Sequence, residues 1–285
     1  MKTVPKTVPL NPVLKRALRR ATWLLLGAVL AACAGGPPSA PAAPAATDTS
    51  RDRVTASDQT DADRRARVRM ELASGYFTRG QTETALDEVK LALLAKPDLA
   101  EAYNLRGLIY ANLGDDRLAE DSFRRALQLN PRDADSMHNY GWFLCQRRRY
   151  AEADLMFLQA AAQPQYTGVS RSLMTQGICQ ARNNKWTEAE KSLSRAYELD
   201  PSSPVTAVNL AEVLVQRNEL ERARFYIRRV NAQPEVSNAQ TLWLAMRIEN
   251  RIGNAAGVRE LGDQLRNRFP QSPEALSYDR GRFDD

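Results

Sequence analysis

Few side chains in this chain could do chemistry. Among 285 residues there are three cysteines, Cys33, Cys145 and Cys179, and a single histidine, His138. A lone histidine serves as a general base only where a nucleophile and an orienting group converge on it. No glycine-rich phosphate loop and no Gly-x-Ser-x-Gly elbow is present. Neither cysteines nor acids cluster at metal-ligand spacing. The expectation is a protein that is not an enzyme, holds no metal or cofactor and takes no small-molecule substrate. That leaves thiol chemistry, which means covalent modification or a disulfide.

Cys33 stands directly after Leu30, Ala31 and Ala32, at the end of an apolar run that starts at Trp23. Lys15, Arg16, Arg19 and Arg20 precede that run. A basic start, a short apolar core and small residues at a cut site make a secretory signal peptide. The core, Ala21 to Ala32, is too short to remain as a membrane-spanning helix. The Leu30-Ala31-Ala32-Cys33 end resembles the lipobox of bacterial lipoproteins. That resemblance implies cleavage before Cys33 and a covalent lipid on its thiol and new amine.

Removal of residues 1–32 changes the charge argument. The whole chain carries 40 basic and 34 acidic side chains, and the leader holds six of the cations and no acid. Residues 33–285 are therefore balanced, and the sequence pI of about 9.3 describes the leader. A nucleic-acid partner loses its electrostatic support. Residues 33–60 are rich in Ala and Pro without periodicity, which predicts a disordered tether.

The rest of the chain repeats itself. Gly80 and Pro97 recur as Gly114 and Pro131, each 34 residues later. Ala73, Tyr76, Ala85, Val89 and Ala92 recur as Gly107, Tyr110, Ala119, Phe123 and Ala126. Further units carry Gly141, Ala153 and Phe157, then Gly177, Ala189 and Leu193, then Ala211, Ala223 and Ile227. A degenerate sixth runs from Leu242 to Pro270. This pattern resembles the tetratricopeptide repeat (TPR), a 34-residue helix-turn-helix unit. The expected fold is all-α: a right-handed superhelical solenoid of about six TPR repeats over 61–270, closed by a capping helix and tail over 271–285. Only fifteen residues follow Pro270, too few for a catalytic domain beyond the repeats.

The physics of the repeat agrees with its punctuation. Gly114 suits the left-handed residue that ends a helix. Pro131 stops the next helix and restricts Asn130. Gly107 and Ala119 are expected to let the paired helices approach. The third unit departs, with Arg148 at the glycine position and two extra residues before the fourth. Arg147, Arg148 and Arg149 read as a solvated helix end, favoured there by the helix dipole, rather than an anion site.

TPR geometry implies that Met70, Phe77, Asn104, Leu108, His138, Trp142, Met174, Ile178, Val208 and Val215 line the concave groove. His138 is expected there as a partly exposed polar residue, and Trp142 is left open between groove and core. The lining is mostly apolar, unlike the Lys, Arg and Asn set of a carboxylate clamp, and suits an extended or amphipathic partner segment. Cys145 and Cys179 fall on neighbouring first helices. In an oxidising compartment a disulfide between them is favoured over two buried thiols.

The stretch Asn139-Tyr140-Gly141-Trp142-Phe143-Leu144-Cys145, the connection through Pro164-Gln165-Tyr166, and Gly177-Ile178-Cys179 resemble the PilF/PilW lipoproteins of type IV pilus systems. So does the tail from Phe269 through Pro270 and Ser272 to Ala275. The resemblance implies a pilotin, anchored by lipid at the periplasmic face of the outer membrane. Its partners would be subunits of the pilus secretin, which it helps to localise and multimerise. Ala34, in place of an aspartate retention signal, implies export to the outer membrane. The alternative is an adaptor of another envelope machine, such as a peptidoglycan hydrolase scaffold or a barrel-assembly component.

Overall fold

The computed structural model describes residues 60–283. The expected leader (1–32), all but the last residue of the expected tether (33–60) and Cys33 itself lie outside the described residues. Twelve helices fall into six pairs: α1 (Asp61–Thr78) with α2 (Thr82–Ala95), α3 (Ala100–Leu113) with α4 (Asp116–Leu129), and α5 (Ala134–Gln146) with α6 (Tyr150–Ala161). Then come α7 (Val169–Arg182) with α8 (Trp186–Leu199), α9 (Pro204–Gln216) with α10 (Leu220–Asn231), and α11 (Ala239–Ile252) with α12 (Ala255–Arg268). A short α13 (Pro273–Asp279) follows and packs on α11 and α12. Ser272 caps it and Pro273 fills its first turn, where a missing N–H is harmless.

Each helix packs on the next, and each odd-numbered helix also touches the following odd-numbered one. Among the described residues no even-numbered helix touches the next even-numbered one. The stack therefore curves toward the odd helices, which form its inner face. No single pair could cover its own apolar stripe, so stability comes from neighbours.

Local sequence explains where the helices stop. Asn130, before Pro131, is extended at φ −132° and ψ 88°. A left-handed residue follows the first helix of every repeat: Gly80, Gly114, Arg148, Asn184, Asn218 and Gly253. Arg148 adopts φ 59° there, a conformation that costs an L-residue about 1–2 kcal/mol. Arg148→Gly should stabilise the protein by about 0.5–1 kcal/mol, since glycine's greater freedom in the unfolded chain offsets part of the gain. The urea midpoint should rise accordingly, and an unchanged or lower midpoint would contradict the strain.

The close approach inside each repeat has a further partner beyond the expected small residue. A Cβ on Gly107 would meet the Phe123 ring at 2.7 Å, so Phe123 occupies the space that Gly107 leaves, and at the equivalent position a Cβ on Gly177 would lie 3.1 Å from the Ala189 carbonyl oxygen. Gly177 stands in the same relation to Leu193, at 2.6 Å. Small-opposite-large pairing at a spacing of sixteen residues is thus the rule of this interface. Ala119 is fully buried and contributes to the same core.

The arginine run is likewise not a solvated helix end. Arg147 Nε donates to Asp116 Oδ2 at 2.6 Å and its guanidinium lies 5.3 Å from the Phe143 ring. Arg149 reaches Glu120 at 2.7 Å and Glu152 at 2.6 Å. Hydrogen bonding to Arg149 holds the Glu120 carboxyl below its usual range against the opposing effect of burial. These pairs join repeats two and three. Of the three arginines, Arg148 is the exposed one.

Candidate partner-binding groove

The inner face is built from first helices, and most of the predicted lining residues are found half-buried on it. Met70 and Phe77 pack beside the buried Ala73 and Val89 of the first repeat. Leu108 and Trp142 pack on the core around Phe123, Leu144 and Phe157. Asn139 Nδ2 donates to Asn104 Oδ1 at 3.2 Å, tying the second repeat to the third. Met174 and Val208 pack against the core of repeats four and five, while Ile178 borders a cavity. These residues run along the inner face and do not converge on one point.

Val215 is 6% exposed: most of it packs in the core of repeats four to six, and the rest lines a cavity on the inner face, as expected. One expectation about the lining is corrected. His138 is 8% exposed, with Nδ1 2.9 Å from Ser172 Oγ and its ring edge-on to Phe157 at 5.7 Å. Its side chain lies in the seam between α5 and α7, where the small Ser172 makes room. Burial, with the nearby Arg171 charge, lowers its pKa to about 4, partly countered by Asp135. The group is neutral at ordinary pH and joins repeats three and four. Trp142 stays half-buried, one side on the core and the Arg182 guanidinium 4.8 Å from its ring.

The same seam holds the two cysteines. Cys145 and Cys179 are joined in a disulfide, with Cα atoms 5.9 Å apart. The inserted connection is packed as well: Tyr166 places its hydroxyl 3.1 Å from Ser172 Oγ, and Arg171 donates to that hydroxyl at 3.2 Å. His138 with Ser172 and Cys145 with Cys179 therefore fasten the same two helices at two points.

Sequence reasoning missed one feature of the inner face. A cavity of about 680 Å³ opens between α7, α9 and α11, with Trp186 and Trp243 in its wall. Trp243 sits in the repeat that reads as degenerate, and Trp186 opens a second helix, outside the positions that TPR geometry assigns to a groove. The signal that could have found them is two large aromatics in a chain with only four tryptophans.

Residues 100–133, 122–154 and 181–246 match the tetratricopeptide repeat family. The chain is 28% identical over 209 residues to the type IV pilus assembly protein PilF of Pseudomonas aeruginosa, covering 73% of this chain and 82% of that one. The crystal structure of PilW, a widely conserved type IV pilus biogenesis factor, superposes with a TM-score of 0.68 at 31% identity, over 74% of this chain and 97% of PilW. The solved structure of Pseudomonas aeruginosa PilF gives a TM-score of 0.68 at 27% identity, over 78% of this chain and all of that one.

Proposed function

This chain belongs to the PilF/PilW family of TPR proteins of type IV pilus biogenesis, and from that premise we propose that it is a lipid-anchored pilotin for the pilus secretin. The observation that carries the reading is the match to PilW and PilF along essentially their whole solved chains. It works by binding: its half-buried apolar side chains on the inner face suit a partner segment, and nothing in the site calls for chemistry.

In this reading the anchor and the groove act together. Acyl chains on Cys33 contribute roughly 0.8 kcal/mol per buried methylene, so a multiply acylated cysteine holds the protein at the membrane. In this reading the Ala- and Pro-rich residues after Cys33 serve as a tether, holding the solenoid near the outer membrane at high effective concentration. A secretin segment docks on the first repeats, where Met70, Phe77 and Leu108 are partly exposed.

The anchor gives the test. Cys33→Ser should remove the protein from outer-membrane fractions and lower secretin multimers with it. Secretin multimers at parental level, with the variant at parental abundance but off the membrane, would break the proposed link between lipid and assembly.

A further inference from the structure

The second helices form the outer face of the stack, and one of them is unlike the rest. In α6 the outward positions are Ala151, Leu155, Leu158, Gln159 and Ala162, all exposed, with Leu155 at 57% and Leu158 at 50%. Carried through the repeat, the same five positions hold three or more charged side chains in each of the other second helices. On α2 the exposed Leu91 and Leu94 share their face with Asp87 and Lys90, and on α4 the centre is Asp121, Arg124 and Arg125. The α6 stripe has no charge at all. Among the described residues α6 packs on α5 and α7, and no other helix covers its outer side.

The order of side chains along this stripe has a twofold pattern. Ala151 and Ala162 lie at equal distances from the helix midpoint between Met156 and Phe157, and so do Leu155 and Leu158. At 3.6 residues per turn the four fall within about 60° of one another around the helix. Turned end for end about the midpoint, the stripe falls on itself, small opposite small and leucine opposite leucine. An isologous contact between two copies needs a self-complementary patch of this kind. Charges near such an axis face their own images and repel, as Arg124 and Arg125 would on α4. That penalty is absent on α6.

Two other occupants lack the matching chemistry. Residues 33–59 contain one large aliphatic side chain, Val54, too little to cover two leucines. Helices that lie on a bilayer carry cations beside their apolar stripe, and these five positions hold none.

We propose that α6 is a self-association surface, on which a second copy packs its own α6 antiparallel, Leu155 against Leu158 and Ala151 against Ala162. Rows spaced four residues apart, Ala151 with Leu155 and Leu158 with Ala162, interlock with the same rows of the second copy. The twelve-residue helix gives a contact about 18 Å long, smaller than a standard interface, so the pair is weak and exchanges. Confinement at a membrane raises the effective concentration of both copies. That step alone rests on the lipid anchor, and the pairing geometry does not. Back-to-back packing leaves both inner faces open to partners.

Cross-linking reads the geometry. Ala151 lies level with Ala162 of the second copy but about 16 Å along the axis from its own counterpart. Full-length protein carrying Ala151→Cys is mixed in detergent with protein carrying Ala162→Cys and treated with a bis-maleimide shorter than this distance. Cys145 and Cys179 are bonded to each other and do not react. Cross-linked dimer is expected at least about tenfold above that of either variant alone. Adding Leu155→Glu to both chains should return it to the single-variant level, with helical circular dichroism unchanged. Equal cross-linking of the mixture and the single variants overturns the proposal. So does a folded Leu155→Glu mixture that cross-links as strongly as the first. A free Cys33 adds the same background to every sample, so failure of the anchor shows in the parent chain and failure of the pairing in the mixture.

Discussion

Replacing Cys145 and Cys179 together by alanine is expected to lower the unfolding free energy by about 3–4 kcal/mol. The bridge closes a loop with a sequence separation of 34, and confining that loop removes conformational entropy from the unfolded chain. Both cysteines are buried, at 1% and 3% exposure, so the small packing loss from the missing sulfurs adds to the effect. A reductant should reproduce the loss in the parent protein and have no effect on the double variant. The measurement is urea unfolding with and without reductant. Coincident curves for the oxidised and reduced parent would show that the bridge does not form or does not constrain the chain.

The second large effect comes from acid, at the other fastening of the same seam. His138 has a folded pKa of about 4 against an ordinary value of about 6.5. Above 6.5 both states hold the imidazole neutral, and its stabilising contribution is fully present. As pH falls from 6.5 toward 4, the unfolded chain takes up the proton first and stability drops. Across that window the loss approaches about 3 kcal/mol. Depressed carboxylates such as Asp63, held at about 2 by its Lys96 and Thr60 hydrogen bonds, begin to weaken the fold only below their ordinary range near 4. His138 therefore gives the main fall between about pH 5 and 6.5; nearer 4.5 lowered glutamates such as Glu120 add to it and Glu212, raised by burial, opposes it. His138→Gln should be less stable at neutral pH, where the Ser172 contact is altered, yet nearly flat across the interval. A parent profile as flat as the variant's would refute the buried neutral histidine.

Much of this architecture was legible because repeats write their backbone into small residues. Gly80 and Gly114 mark left-handed helix ends, and Pro97 and Pro131 mark helix stops, so the period of 34 and six helix pairs could be read directly. The short closing helix was readable from Ser272 and Pro273 for the same reason. What failed concerns depth and pairing rather than elements. His138 occupies a position that suits a groove residue, but whether it faces solvent depends on the neighbouring repeat, and Ser172 draws it into the seam. The arginines after α5 looked like a solvated helix end because their partners, Asp116 and Glu120, stand about thirty residues earlier. The ring of Phe123, which fills the space at Gly107, had no place in the small-residue reading of that approach.

The inner face follows the same division. Its apolar character was evident from Met70, Phe77 and Leu108, whereas the cavity between Trp186 and Trp243 exists only once three repeats stack. Surfaces assembled from consecutive units carry no local signature beyond the composition of each unit.

The proposal that the first repeats bind the secretin is tested most directly by Met70→Ser combined with Leu108→Ser. Both side chains are half-buried on the inner face, so polar replacements remove partner contact area while leaving most of the core intact. In cells carrying this double variant in place of the parent, unheated gels of the envelope should show the secretin as monomer, with multimers largely lost. The variant itself should keep parental abundance and helical circular dichroism. Secretin multimers at parental level, with the variant folded and abundant, would contradict docking on these repeats.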